Sequence, residues 1–281
     1  MTSKAVLITG CSTGIGRATA ERLAGRGHKV YATARNVASI EDLREAGCET
    51  LALDVTDSES MVQAVKAVED AEGAVGALVN NAGYSQGGAV ESLDMDAIRR
   101  QFETNVFGAF ELAQRCLPGM RAQGWGRVVN VSSMGGRFTL PGGGAYHASK
   151  HAMEALSDAL RWEVKDFGVR VSIIEPGVVL TNFPQAHAGA IGDAQADEGP
   201  YAVFNAAGRE RVDGAYEGFL AAIGTKPAKV ARVIERAITS PLSKPRYRVG
   251  MDARSVIVLR RMMPDRVFDA FLRTQYSRPK P

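Results

Sequence analysis

The sequence predicts an α/β fold: one domain built on a parallel, doubly wound sheet of seven strands between two helical layers. Three observations predict it. Short apolar runs alternate with helical patterns from the first residues onward, the mark of repeated βαβ units. A glycine-rich turn, Gly10-Cys11-Ser12-Thr13-Gly14-Ile15-Gly16, joins the first run to the first helical pattern. No internal repeat, low-complexity tract or linker divides the 281 residues, and 45% hydrophobic content is enough for one sizeable core.

The first strand is read at 5–9, where Ala5-Val6-Leu7-Ile8 precedes the glycine turn, and a helical pattern follows from Arg17 to Ala24. Strand, glycine turn and helix in that order make a phosphate site: glycines permit the tight turn, and helix N-terminal amides favour an anion. Further strands are read at 29–34, 50–53, 77–80, 127–132, 170–175 and 246–249. Asp57 ahead of Ser58-Glu59 offers an N-cap and an acidic first turn to the helix after the third strand. Two long helices are read at 95–121 and 146–167. Residues 182–198 carry Ala, Gly, His, Gln and Asp with no sustained apolar period. They read as a lid over the site, within a variable stretch near 182–220. The tail, near 252–281, is read as helical, with Val256 to Met263 amphipathic and Pro264 behind it. It is expected to pack on the pocket rim or a neighbouring subunit.

Tyr146-His147-Ala148-Ser149-Lys150 sets a phenol and an ammonium four apart in a helical stretch, so they share a face. A free tyrosine titrates near 10 and is a poor base at neutral pH; a nearby cation favours its phenolate. That makes a proton-transfer group usable near neutrality. Ser133 follows the apolar run Val128-Val129-Asn130-Val131, where its hydroxyl meets the phenol over a substrate oxygen.

Together these motifs resemble the short-chain dehydrogenase/reductase family, and the resemblance runs from Lys4 to about Thr181. Thr9 to Gly16 is similar to the family's cofactor loop, and Asn80-Asn81-Ala82-Gly83 to its motif after the fourth strand. Asn105, Ser133, Tyr146 and Lys150 fall where the family keeps its catalytic tetrad. Pro176-Gly177-Val178-Val179-Leu180-Thr181 is similar to its nicotinamide-side turn. The resemblance implies a Rossmann-like fold in which Gly10, Ser12, Thr13, Gly14, Ile15 and Gly16 cradle the phosphates. It carries Asp54 and Val55 to the adenine edge and Asn81, with Ala82 and Gly83, to the wall beside its ribose. Pro176, Gly177, Val179 and Thr181 would grip the nicotinamide. Tyr146 would exchange a proton with the substrate and Ser133 would hydrogen-bond the substrate oxygen. Lys150 would hold a ribose and depress the phenol, and Asn105 would position a relaying water. Family members usually pair through the two long helices, so a homodimer or homotetramer is expected.

The second strand ends Tyr31-Ala32-Thr33-Ala34-Arg35-Asn36, with no acid where dinucleotide folds place one for the NAD ribose hydroxyls. Arg35 instead offers a guanidinium, which suits a 2′-phosphate. NADP(H) is therefore expected over NAD(H). Met134, Phe138, Leu140, Phe183, Tyr201 and Phe204 form an apolar pocket wall, which points to a lipophilic alcohol or ketone such as a steroid, retinoid or aliphatic ketone. The alternatives are an oxoacyl-thioester or carbon–carbon double-bond reductase, and an NADP-sensing binding protein without turnover. The last usually lacks the tyrosine or the lysine.

Composition excludes other classes. Cys11, Cys48 and Cys116 are widely spaced, with no metal-ligand pairing or disulfide framework, which fits a cytoplasmic protein. Cys11 is read as a packing residue. No histidine has a triad acid or a ligand companion, so His147, His151 and His187 are read as non-catalytic. No apolar stretch reaches membrane-span length, and the chain enters a strand too early for a signal peptide. The net charge is +3, and from Arg246 onward nine Lys/Arg face three Asp. This basic tail is read as a solvated edge, with peripheral membrane contact as the alternative. No nucleic-acid motif accompanies it.

Overall fold

The computed structural model describes residues 2–181, 199–215 and 224–276. Seven strands form one parallel sheet: β1 (Val6–Ile8), β2 (Val30–Ala34), β3 (Cys48–Ala52), β4 (Ala77–Asn80), β5 (Gly126–Val131), β6 (Val169–Pro176) and β7 (Arg246–Val249). Their order is β3-β2-β1-β4-β5-β6-β7. β1 is central, with Leu7 level with Tyr31 on one side and Leu78 on the other. The chain turns from one half of the sheet to the other between β1 and β4. Ligands of doubly wound sheets bind at that switch point, outside the carboxyl ends of the strands.

Helices cover both faces, which is why β1 is an unbroken apolar run rather than an alternating one. Val6, Leu7 and Ile8 are all fully buried. Val6 and Ile8 pack with Leu23 of α1 (Gly14–Ala24) and Ile234 of α7 (Pro227–Thr239). Leu7 points the other way, to Met61 and Val65 of α2 (Ser58–Glu72) and Leu112 and Met120 of α4 (Gly108–Ala122). Between these lie α3 (Met95–Phe102), α5 (Gly144–Glu163) and α6 (Ala202–Ala215), and α8 (Met251–Met262) and α9 (Asp265–Gln275) close the chain. Asp57 accepts from the Glu59 amide and caps α2 as its position predicts.

Three elements differ from the sequence reading. The helix expected over 95–121 is two helices joined by a π-helical turn, Glu103–Phe107. One residue more than an α-turn turns Asn105 inward, where it is fully buried. The helix expected over 146–167 ends at Glu163 and is followed by a 3₁₀ turn, Lys165–Phe167, closed by left-handed Gly168. The tail is already helical from Met251, and Pro264 starts a second helix instead of ending the element. The lid residues 182–198, with Phe183 and His187, lie outside the described residues. Among the described residues no helix is long and apolar enough to cross a membrane.

Candidate active site

A cavity of about 900 Å³ runs along the carboxyl ends of the central strands. Arg35, Asp54 and Val55 line one end, and Gly10, Ser12, Thr13, Gly14, Ile15, Asn81, Ala82 and Gly83 its middle. Ser133, Tyr146, Lys150, Pro176, Gly177, Val179 and Thr181 line the other end. Gly16 and Asn105 lie behind this wall. Val178, Tyr84, Arg100, Glu103 and Thr104 also line it. Val178 belongs to the nicotinamide-side motif and Thr104 to the segment around Asn105; Tyr84, Arg100 and Glu103 come from segments with no sequence signal of their own.

The glycine turn is clamped to the β4 end. The Thr9 hydroxyl oxygen accepts from the Asn81 and Ala82 amides, both at 2.9 Å. The Asn81 side chain donates back to the carbonyls of Thr9 and Gly10, at 2.9 and 3.0 Å. Gly16 allows that closeness: a Cβ there would stand 2.3 Å from the Gly10 oxygen and 2.5 Å from the Asn81 amide nitrogen. No side chain caps α1, so its first-turn amides are left for an anion. A glycine cradle, open helix amides and a cavity reaching from Arg35 to Tyr146 fit a dinucleotide. Cys11 is fully buried, and burial pushes its thiol up to about 12, so it is no nucleophile here. Arg35 is exposed at the cavity edge, and among the described residues no carboxylate pairs with it. Arg17, by contrast, is engaged by Glu21 and Asp42.

At the opposite end Ser133 leaves β5 in extended conformation, and its oxygen accepts from the Gly135 amide at 3.0 Å. Its own proton is left to donate. The Gly135 carbonyl accepts from His147 Nδ1 at 2.8 Å, which fixes the proton on that nitrogen. His147 is buried, with its ring 5.7 Å from Tyr146 and 6.0 Å from Phe138 between centroids. It does not line this cavity, but it ties the Ser133 loop to the helix that carries Tyr146. Sequence reading set it aside because only an acid or metal partner was sought.

Lys150 is buried, donates to the Val131 carbonyl at 2.9 Å and lies 5.9 Å from the Tyr146 ring centroid. Burial lowers its ammonium to about 8, against the pull of Glu154. Asn105 donates to the Tyr84 carbonyl at 2.9 Å and to Ser149 at 3.2 Å, and accepts from the Tyr84 amide. It therefore bridges the chain after β4 to α5. A Cβ on Gly83 would meet the Asn105 oxygen at 3.0 Å and Lys150 Nζ at 3.8 Å. Beneath these groups lies a buried charge cluster that sequence reading missed. Arg246 lies 2.9 Å from Glu154 and 3.3 Å from Glu175, and Arg248 lies 3.1 Å from Glu175. Burial raises the Glu154 carboxyl.

The expected apolar wall is only partly assembled. Met134 lines the cavity, whereas Phe138 is buried against His147. Tyr201 and Phe204 pack on each other at 6.4 Å, and the Tyr201 hydroxyl donates to Glu91. Neither they nor Leu140 line the cavity among the described residues.

The family model described as short chain dehydrogenase matches residues 4–189. The chain is 34% identical over 267 residues to a probable short-chain type dehydrogenase/reductase, VdlC, of Helicobacter pylori, covering 95% of this chain and 96% of that protein. It is 39% identical over 183 residues to a 3-ketodihydrosphingosine reductase of Bacteroides thetaiotaomicron, covering 65% and 66%. A crystal structure of a short-chain dehydrogenase from Streptomyces avermitilis superposes with a TM-score of 0.78 at 34% identity, over 97% of each chain. The chain belongs to the short-chain dehydrogenase family and is an oxidoreductase of CH–OH groups that uses a nicotinamide cofactor.

Proposed function

We propose that this protein interconverts a lipophilic alcohol and its ketone with NADP(H), Tyr146 being the proton donor and acceptor. The observation that carries this reading is that Ser133, Tyr146, Lys150 and Arg35 face one continuous cavity. When bound, the dinucleotide supplies or takes up the hydride. Ser133, with its oxygen engaged by Gly135, directs its proton to the substrate oxygen and offsets the negative charge that develops there. Tyr146 passes its hydroxyl proton to the same oxygen in reduction and recovers it in oxidation. Lys150, buried and positive at neutral pH, favours the phenolate. Asn105 and His147 hold α5 against the neighbouring loops so that these groups stay in register.

Arg35, with no carboxylate partner among the described residues, suits a 2′-phosphate and supports NADP(H) over NAD(H). Met134, Val131, Val178 and Tyr84 around the cavity support a lipophilic substrate, as does the likeness to a 3-ketodihydrosphingosine reductase. A homo-oligomer through α4 and α5 goes with this reading, since Phe107, Leu156 and Trp162 are exposed apolar groups on that side. Binding of NADPH and NADH, read by cofactor fluorescence, with turnover of a panel of ketones and steroids, tests the proposal. The unmodified chain should prefer NADPH, and Arg35→Ala should weaken NADPH alone by about tenfold, the scale of one charge-assisted contact. Equal affinities in the unmodified chain would sink the NADP(H) assignment.

A further inference from the structure

The turn that follows β6 is held from outside at the amides of Gly177, Val178 and Leu180. Gly177 donates to the Val249 carbonyl at 3.0 Å, and Leu180 to that of Thr225 at 3.0 Å. The Thr225 amide donates back to Val178 at 2.8 Å. The Val178 amide is held by a side chain: Asp252 Oδ2 accepts from it at 2.6 Å, across 74 residues of sequence. Asp252 sits in the first turn of α8, where an acid ordinarily serves the dipole or the amides of its own helix. Here α8 has no side-chain cap, and the carboxylate is aimed away from the helix at the turn.

The space for that carboxylate is made by two glycines. A Cβ on Gly177 would stand 2.0 Å from Asp252 Oδ2, and one on Gly250 would stand 2.2 Å from Oδ1. Gly250 also has φ +108, a conformation side chains rarely adopt. Asp252 Oδ1 is buried with no hydrogen-bond partner among the described residues. A buried carboxylate oxygen left in that state is unfavourable, and a serine or asparagine would start the helix as well. The arrangement makes sense if the task of Asp252 is to fix the turn.

We propose that Asp252 is a positioning residue for the reaction: it locks 176–181 in the shape that receives the nicotinamide end of the cofactor. The inference rests on the proposed function for the identity of that end. Through this one bond α8, which among the described residues lines none of the cavity, sets the geometry of one cavity wall. Asp252 acts on where the cofactor's reactive end lies, leaving the adenosine end untouched.

The test compares Asp252→Ala, Asp252→Ser and Asp252→Asn with the unmodified chain. Asparagine keeps an acceptor for the Val178 amide; alanine has none and serine is too short. For each, the dissociation constants of the tighter-binding dinucleotide and of its adenosine-side fragment (2′,5′-ADP for NADPH, ADP for NADH) are measured with thermal melts and ketone turnover. In the alanine and serine variants dinucleotide affinity and kcat should each fall about tenfold, the scale of a charge-assisted hydrogen bond. Fragment affinity should be unchanged, and asparagine should restore the dinucleotide. Should alanine prevent folding, serine gives the same readout, because it suits a helix start. The proposal is overturned if the dinucleotide is held as tightly without Asp252, if the fragment is lost in parallel, or if asparagine fails as alanine does. A chain that binds a dinucleotide but reduces no ketone refutes the proposed function, while the two binding constants still decide the role of Asp252.

Discussion

At the phosphate end of the cavity, the groups offered to an anion are backbone amides of one short stretch, Gly10 to Gly16, with Thr9 and Asn81 clamping it from behind. At the catalytic end, the helix that carries Tyr146 and Lys150 is tied through side chains to distant segments: Ser149 to Asn105 of the π-turn, His147 to the Gly135 carbonyl and Glu154 to Arg246 of β7, while Asp252 of α8 holds the turn after β6. The first end carries no buried charge of its own and presents amides. The second end buries an ammonium and two carboxylates, with half-buried Arg246 between the carboxylates. Binding a constant anion needs only fixed donors, which backbone supplies. Moving a proton needs groups whose charge is tuned by burial and neighbours, and those have to be brought in from afar.

The largest effect expected from this contrast falls on activity. Tyr146→Phe removes one oxygen and keeps the ring that packs against His147. Fold and dinucleotide affinity, which belong to the other end, should survive, while turnover falls by about 10² to 10⁴. Ser133 cannot stand in, since its hydroxyl is far less acidic. A variant that keeps more than about a tenth of the turnover would show that the proton has another source.

A second effect falls on stability. Arg246→Met leaves Glu154 and Glu175 without the guanidinium that lies between them. Removing one partner of a buried charge group costs about 3 kcal/mol, because the remaining charges stay buried. Glu175 keeps Arg248, which holds the loss to that figure rather than a larger one. Arg17→Ala at the phosphate end also removes a cation from two carboxylates, but on the surface, and should cost below about 1 kcal/mol. Urea titrations of both variants check the pair. Equal losses would erase the distinction between the ends.

The same contrast explains what the sequence made legible. The strands could be read because most are short apolar runs that alternate with helical patterns; β3 and β7 are more polar. The Gly10–Gly16 turn could be read because its glycines, the strand before it and the helix after it are contiguous in the chain. Tyr146 and Lys150 were legible because one helical turn joins them. Asp252 was not, since its partner Val178 is 74 positions away and an acid after a glycine looks like any helix start. His147 was not, because its bond is to a backbone carbonyl, which leaves no side-chain signature. The π-turn was missed because Glu103-Thr104-Asn105-Val106-Phe107 keeps a helical apolar pattern; only the burial of Asn105 shows the extra residue. The apolar wall was over-read: Phe138, Tyr201 and Phe204 have the right character, but tertiary packing turns them onto other partners.

The last predicted effect is a gain. Lys150 titrates near 8 instead of its usual 10.5, because burial penalises the ammonium more than Glu154 supports it. The folded chain therefore binds that proton less tightly than the unfolded chain does. Below pH 8 both states carry the proton, and the whole penalty, about 3 kcal/mol at most, opposes folding. As pH rises from 8 towards 10.5 the folded state releases the proton first, and the penalty fades. Lys150→Met fills similar space without the charge, at the expense of the bond to Val131, worth about 1 kcal/mol. The variant should be inactive yet more stable than its parent by about 1 to 2 kcal/mol at pH 7, with the gain shrinking towards pH 10. No substitution among the backbone donors of the phosphate end should combine lost activity with gained stability in this way. Denaturant titrations of parent and variant across that range decide it: a variant less stable at pH 7, or a gain that grows with pH, would mean that Lys150 is stabilised where it lies and that the catalytic end stores no such strain.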